Sequence, residues 1–197
     1  MAYNDIYKKA TIIMKRVVRM ETLENTGIPE IFKERTWTKL LNPSGNVYFE
    51  IIKEFFVNAT VDEDHINGWV RQKEFTITKD SIQEFLEVFP PSQPISIQYD
   101  DRLDSIKPMA ELLGGSLNKK SMNTIPFKAE MRTLAYVMIH NLYPVMNLTT
   151  LSAPRTIFLY DLFTHKEIDI CGHICWEALE EAKLWWMQSS VFRDPES

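Results

Sequence analysis

Residues 125–170 read IPFKAEMRTLAYVMIHNLYPVMNLTTLSAPRTIFLYDLFTHKEIDI and hold the densest apolar sequence in the chain. Phe127, Met131, Leu134, Ala135, Met138 and Leu142 follow one face of a 3.6-residue period. Tyr136, Val137 and Ile139 fill much of the remaining circumference, so this helix is predicted to be buried on most sides. Arg132 and His140 interrupt the run, which is shorter than the roughly 20 apolar residues of a membrane span. Pro144 ends it, because proline lacks the N–H that a further turn needs. Ser152 then offers a side-chain cap to a second helix with Pro154 in its first turn. Ile157, Phe158, Leu159, Tyr160, Leu162 and Phe163 make that helix nearly all apolar. The pair reads as the centre of a core rather than as a ligand box.

Working outward, the flanks supply further helices and little sheet. Ile6, Ala10, Ile13, Val17 and Met20 predict an amphipathic helix over 3–24. Lys8, Lys15 and Arg19 share its other face, flanked by Lys9 and Arg16. Such a face suits RNA, DNA or an anionic membrane, but a solvated face of a docked helix is the preferred reading. Residues 28–41 predict a second helix with Pro29 in its first turn, broken at Asn42-Pro43-Ser44-Gly45. Asn46 is expected to cap a helix carrying Tyr48, Ile51, Ile52, Phe55 and Ala59. Trp69 to Ile77 reads as extended chain or a short hairpin, and Thr78 as the cap of a helix with Ile82, Phe85, Leu86 and Phe89. Pro90-Pro91-Ser92-Gln93-Pro94 is a stiff connector, and Ile95, Ile97 and Tyr99 alternate as in a strand. A short helix around Pro108 to Leu113 stops at Gly114-Gly115, and Ser116 to Thr124 reads as a polar surface loop. The last helix starts near Asp169 and puts Cys171, Cys175, Ala178, Ala182 and Trp185 on one face, with Glu177, Glu180 and Glu181 outside it.

The expected fold class is mainly α, a single multi-helix domain with a small β-hairpin or short-strand element. Its predicted parts are a basic helix over 1–27, a helical domain over 28–190 and a polar tail over 191–197. With 197 residues, 45% of them hydrophobic and 25% charged, the chain can bury a substantial core. A net charge of −5 rules against a generally nucleic-acid-coating chain. Two cysteines provide no disulfide framework and fit a reducing compartment, nuclear or cytoplasmic. No secretory signal and no transmembrane segment is read.

The chemistry sought in the sequence is not found. There is no P-loop, dinucleotide glycine fingerprint or Gly-x-Ser-x-Gly elbow, so no catalytic residue, metal or cofactor is predicted. Cys171, His173 and Cys175 crowd three potential zinc ligands into five residues, where zinc usually takes two spaced pairs. Either cysteine with His140, His165 or His173 would make a nucleophile–base pair, but nothing beyond residue type supports one. Asp62, Glu63, Asp64 and His65 lack calcium-loop spacing and read as a solvated loop.

Two ordered sets of residues carry a resemblance. The first is Phe55-Phe56-Val57-Asn58-Ala59, Trp69-Val70-Arg71-Gln72-Lys73-Glu74-Phe75 and Ile82-Gln83-Glu84-Phe85-Leu86. The second is His140-Asn141-Leu142-Tyr143-Pro144, Thr149-Thr150, Arg155-Thr156-Ile157-Phe158-Leu159-Tyr160 and Ile168-Asp169. Together, over roughly residues 30–190, the chain resembles the plant transposon protein domain, a family of plant genomes linked to retroelement-derived genes. Two positions depart from that pattern. Gln72 stands where the resemblance implies a glycine after Val-Arg, and Thr164-His165 stands where it implies Thr-Gly, both at turns that favour positive φ.

The resemblance implies mobile-element ancestry and supplies no catalytic residues. It marks His140, Asn141, Pro144, Arg155, Tyr160 and Asp169 as structural motif positions. Asn141 is expected to cap or bridge the helix end before Pro144. Arg155 opposes the helix dipole near a helix start, so a partner is predicted, either Asp161 or a phosphate. Arg71 and Arg132 are the other candidates for a shared polar site, and Lys8, Lys15 and Arg19 complete the possible nucleic-acid contacts. The functional expectation is a non-enzymatic interaction or assembly module that associates with itself or with an unknown protein and not with a membrane. The alternatives are a nucleic-acid-binding accessory module and an inactive truncated copy of an element.

Overall fold

The computed structural model describes residues 18–42, 46–92, 100–118, 121–143 and 149–190. The basic residues Lys8 and Lys15, the strand expected over 95–99, Pro144 and the tail over 191–197 lie outside them. Among the described residues there are eight α-helices: α1 (Ile28–Glu34), α2 (Thr38–Leu41), α3 (Phe49–Val57), α4 (Lys79–Leu86), α5 (Ile106–Leu112), α6 (Ala129–Val137), α7 (Ala153–Phe163) and α8 (Ile170–Ser190). A π-helical turn, Met138–Leu142, continues α6. Six strands form two antiparallel three-stranded sheets, β1 (Thr60–Val61), β2 (His65–Val70) and β3 (Lys73–Thr78), then β4 (Ser116–Asn118), β5 (Ser121–Asn123) and β6 (Thr150–Ser152). The architecture is helix-dominated, as the mainly α expectation had it, but mixed α/β, with two small sheets where one small β element was expected. No described helix is long and apolar enough to cross a membrane.

The chain divides into two compact units. Among the described residues, the first unit takes 46–85 and 170–190. Its core is Phe55, Ala59, Ile66, Val70, Cys175, Leu179 and Ala182, so α3, the first sheet and α8 share one apolar centre. β2 alternates, with Ile66, Gly68 and Val70 buried and Trp69 exposed, as a half-buried strand should. Gly68 is where the Phe55 ring seats: a Cβ there would lie 2.5 Å from that ring. The β2–β3 hairpin closes on Arg71 and Gln72, both left-handed at φ 50° and 66°, with Val70 opposite Lys73. A two-residue loop with both residues at positive φ matches the twist of its strands, which is why such turns favour glycine at the second place. Glu54 steadies this one by accepting the Arg71 backbone N–H at 2.7 Å. Thr78 caps α4 reciprocally with Ser81, as expected: Ser81 N–H donates to Thr78 Oγ1 at 3.0 Å, and Thr78 N–H to Ser81 Oγ at 2.9 Å.

The second unit takes 18–42 and the described part of 86–169. α5 packs on α7, α2 on the π turn, and the second sheet on α7. Phe32, Leu40, Leu41, Met122, Leu134, Met138, Ile139, Leu151, Ile157, Phe158 and Leu159 are its most deeply buried large side chains. Several local expectations change. The surface loop expected over 116–124 is the β4–β5 hairpin, because the period-2 pattern Ser121-Met122-Asn123 buries Met122 while its polar neighbours stay half-exposed. Gly115 lies so close to Met122 and Phe127 that a Cβ would meet both at 2.7 Å. Tyr48, not Asn46, stands at the start of α3. Beyond Val17 the expected N-terminal helix gives way to a 3-10 turn, Met20–Leu23. Residues 28–41 are two helices, because Thr36 turns left-handed at φ 58°.

That break follows a recognisable rule. Trp37 N–H donates to Phe32 O at 2.9 Å and Thr36 N–H to Lys33 O at 3.0 Å, and the Phe32 and Trp37 rings lie 6.4 Å apart. This is a Schellman ending with its hydrophobic contact. α5 ends the same way at Gly114 (φ 78°), with Gly115 N–H donating to Ala110 O and Gly114 N–H to Glu111 O. α7 ends the same way at His165 (φ 53°), with Lys166 N–H donating to Asp161 O and His165 N–H to Leu162 O. Only α5 uses glycine, so Thr36 and His165 each hold a left-handed conformation costing about 1–2 kcal/mol.

Within α7, Asp161 is a buried carboxylate, its side chain 4% exposed. Arg102 meets it with a two-pronged fork, Nη1 to Oδ2 at 2.5 Å and Nη2 to Oδ1 at 2.6 Å. Lys166 Nζ adds a contact to Oδ1 at 3.2 Å. Breaking a buried pair leaves one charge uncompensated and costs about 3–5 kcal/mol, whereas replacing both partners with apolar residues is often near neutral. Asp161→Asn is therefore expected to lower the melting temperature far more than the double change Arg102→Leu with Asp161→Leu. Equal losses in calorimetry would show that the pair does not govern this unit. In the first unit, Gln72→Gly is expected to raise the melting temperature by about 1–3 °C by relieving the left-handed strain. Gly68→Ala should cost about 1–3 kcal/mol through collision with Phe55.

Candidate functional site

The second set of motif residues assembles around the end of α6. Tyr143 N–H reaches back five residues to Met138 O at 2.9 Å, which makes the last turn π-helical. Asn141, 1% exposed, donates its side-chain Nδ2–H to Val137 O at 3.2 Å. It bridges the helix end where the backbone ladder changes pitch, as expected for this position. Its Oδ1 is buried with no hydrogen-bond partner. Tyr143 stands edge-on to Phe158 of α7, ring centroids 6.2 Å apart. The Arg155 guanidinium lies over the other side of this joint, 4.5 Å from the Tyr143 ring centroid.

Arg155 also donates through Nη1 to Ser152 Oγ at 3.3 Å, so the Ser152 hydroxyl serves Arg155 rather than capping the backbone. Asp161, expected as a partner of Arg155, instead takes Arg102 and Lys166. Arg132 ties down the segment before α6, donating through Nη2 to Ile125 O at 2.5 Å and Phe127 O at 3.0 Å. Arg71 is exposed at the hairpin tip of the first unit, and Arg19 is exposed beside the 3-10 turn of the second. The structure thus gives Arg71, Arg132 and Arg155 three separate local settings. Tyr160 carries Lys166 Nζ 4.7 Å from its ring centroid, and His140 and Asp169 are both half-exposed.

A cleft of about 330 Å³ in the second unit was not foreseen. It lies between the Schellman endings of α1 and α7, with Arg35, Trp37, Phe89, His165 and Lys166 among its walls. Arg35 joins the two endings, donating to Ile31 O at 2.9 Å and Lys166 O at 3.3 Å, and its guanidinium sits 5.7 Å from the Trp37 ring centroid. Cations belong at helix C-termini, where the backbone carbonyls concentrate negative charge. Burial pulls the Arg35 pKa below its ordinary value, against the opposing pull of Glu34. Phe89 stands 79% exposed at the rim, and Ser92 Oγ donates to the Glu167 carboxylate at 3.1 Å. The sequence signal for this cleft was weak, since no local pattern brings the turns at Thr36 and His165 together with Phe89.

Cys171, His173 and Cys175 are all buried in α8, and Cys175 Sγ donates weakly to Asp64 O at 3.7 Å. Among the described residues, no group of three or more His, Cys, Asp or Glu is arranged to hold a metal ion. The acidic loop of the first unit does organise around His65. Its Nδ1 lies 2.7 Å from Asp64 and its Nε2 2.9 Å from Asp62, so both ring nitrogens face carboxylates. That geometry suits the imidazolium. The hydrogen bond to Asp64, with help from the charges of Asp62 and Asp64, raises the His65 pKa above 6.5, and the same bond lowers that of Asp64. A raised folded-state pKa gives stabilisation that is fully present below the unfolded value. The β1–β2 turn should therefore be tightest in mild acid and loosen as pH rises from 6.5 through the raised value. An NMR titration of the His65 ring checks this, and Asp64→Asn should move its midpoint down.

Residues 33–184 match the family described as "Putative plant retrotransposon-related domain". No curated protein and no solved structure matches the chain. The matched span runs from the end of α1 into α8 and includes the hairpin, the π turn and the Arg102–Asp161 pair. By that match the chain belongs to the plant retrotransposon-related domain family.

Proposed function

We propose that the chain is a non-enzymatic assembly module of retroelement descent, acting by association with itself or with another protein. The observation that carries this reading is a set of exposed aromatic side chains on the first unit, with Trp69 and Phe75 on opposite faces of the β2–β3 hairpin. Tyr48 and Phe85 are 60% and 63% exposed, and Trp69 and Phe75 are each 49% exposed. Side chains of this kind anchor protein interfaces, because they bury large area at low entropic cost. The polar side chains of the matched motif also support it. Asn141 and Arg132 hold backbone carbonyls, Arg155 a ring, and Asp161 the cations of Arg102 and Lys166, which is the work of a scaffold.

Size-exclusion chromatography with light scattering, with and without mixed RNA and DNA at low salt, tests the reading. Association that rises with protein concentration and weakens in Trp69→Ser with Phe85→Ser supports it, and a strict monomer at all concentrations removes it. A shift only on adding nucleic acid, reversed by salt, would favour the accessory nucleic-acid module instead. Arg19 and Arg71 are the exposed arginines that reading would then use.

A further inference from the structure

The charged groups around the cleft of the second unit are not evenly matched. Its walls include Glu34, Arg35, His165, Lys166 and Glu167. Among the described residues, all but Arg35 meet a side-chain partner. His165 Nδ1 lies 3.4 Å from the Glu34 carboxylate, Lys166 Nζ lies 3.2 Å from Asp161, and Glu167 accepts from Ser92 at 3.1 Å. Arg35 donates to two backbone oxygens, Ile31 O and Lys166 O. A guanidinium has five N–H donors, and the others on Arg35 have no partner among the described residues. Burial lowers its pKa more than neighbouring Glu34 raises it, the mark of a cation that has lost water without gaining an anion. The group is also held in place, by carbonyls from two different helix endings and by the Trp37 ring 5.7 Å away.

We propose that this cleft binds a small aromatic carboxylate, its carboxylate on the remaining donors of Arg35 and its ring against Phe89. A guanidinium already fixed in orientation matches the flat, two-oxygen end of a carboxylate and loses little freedom on binding it. Phe89, 79% exposed at the rim, and Pro91 beside it supply an apolar wall. Aromatic rings favour offset or edge-on contact with such a side chain. A volume of about 330 Å³ stands at the small end of ligand clefts and suits a single small molecule rather than a peptide. The Glu34 and Glu167 carboxylates in the walls disfavour a doubly charged phosphate ester, so a single negative charge fits best. This site goes beyond the assembly reading, which draws on side chains of the first unit.

Titration of the full chain with benzoate, followed by the Trp37 indole and His165 ring signals in NMR spectra, tests the proposal. Both signals should shift and saturate. Benzamide, which keeps the ring and loses the charge, and acetate, which keeps the charge and loses the ring, should each bind about tenfold more weakly or worse. Phe89→Ala, at an exposed position where folding is not threatened, should weaken benzoate about two- to tenfold. Arg35→Lys keeps the charge, loses the fork and should weaken it about tenfold. Circular dichroism establishes that both variants are folded; should Arg35→Lys not be, Phe89→Ala decides. No saturable shift with benzoate, acetate binding as tightly as benzoate, or affinity unchanged in Phe89→Ala overturns the proposal.

Discussion

A carboxylate cannot be carried into an apolar helix without a cation to meet it. Asp161 sits in the middle of α7, among Ile157, Phe158, Leu159 and Leu162, and Arg102 answers it from 59 residues away. That pair fixes the 3-10 segment Asp100–Ser105, which precedes α5, against α7, and through Lys166 it reaches the turn that ends α7. The same turn receives Arg35 from the end of α1. One buried charge thus orders three otherwise separate stretches of the second unit. Its worth lies in specificity more than in net energy, because desolvating both ions consumes most of their attraction.

Helix endings do the rest of the positioning in this unit. α1, α5 and α7 close with the same backbone pattern, and each redirects the chain sharply. Glycine serves only α5. At the other two ends the strain is balanced by what the turn allows, which is a ring contact between Phe32 and Trp37 after α1 and a cation over Tyr160 after α7. The cleft between α1 and α7 is therefore a by-product of two turns whose conformation is set locally.

Much of this was legible in the sequence and some was not, for physical reasons. The apolar periodicity of 127–142 and 157–163 gave the two central helices, because burial on all sides leaves an unmistakable pattern. At Gln72 and at Thr164-His165 the absence of the glycine that the resemblance implies put each turn in doubt, yet Gln72 and His165 both adopt positive φ. The β4–β5 hairpin was missed because strands of three residues carry too little periodic signal. The break at Thr36 was missed because a β-branched residue is the last one expected in a left-handed turn. Arg155 was assigned the wrong partner for a simple reason. Sequence spacing put Asp161 nearby, but the carboxylate faces Arg102, which no local pattern connects to it. Arg35 escaped notice altogether, since its partners are backbone carbonyls that every sequence contains.

The π turn at Met138–Leu142 has one more implication. A π turn holds one residue more than an α-helix of equal length, so every position beyond it is rotated by about 100° from where a steady helical count would put it. His140, Asn141 and Leu142 therefore cannot be aligned with a relative by extending the apolar stripe of Met131, Leu134 and Met138. A relative lacking this surplus residue would show a single-residue gap here with no loss of helix on either side. The segment 140–142 of the second motif set is thus one where matching by hydrophobic period slips by one.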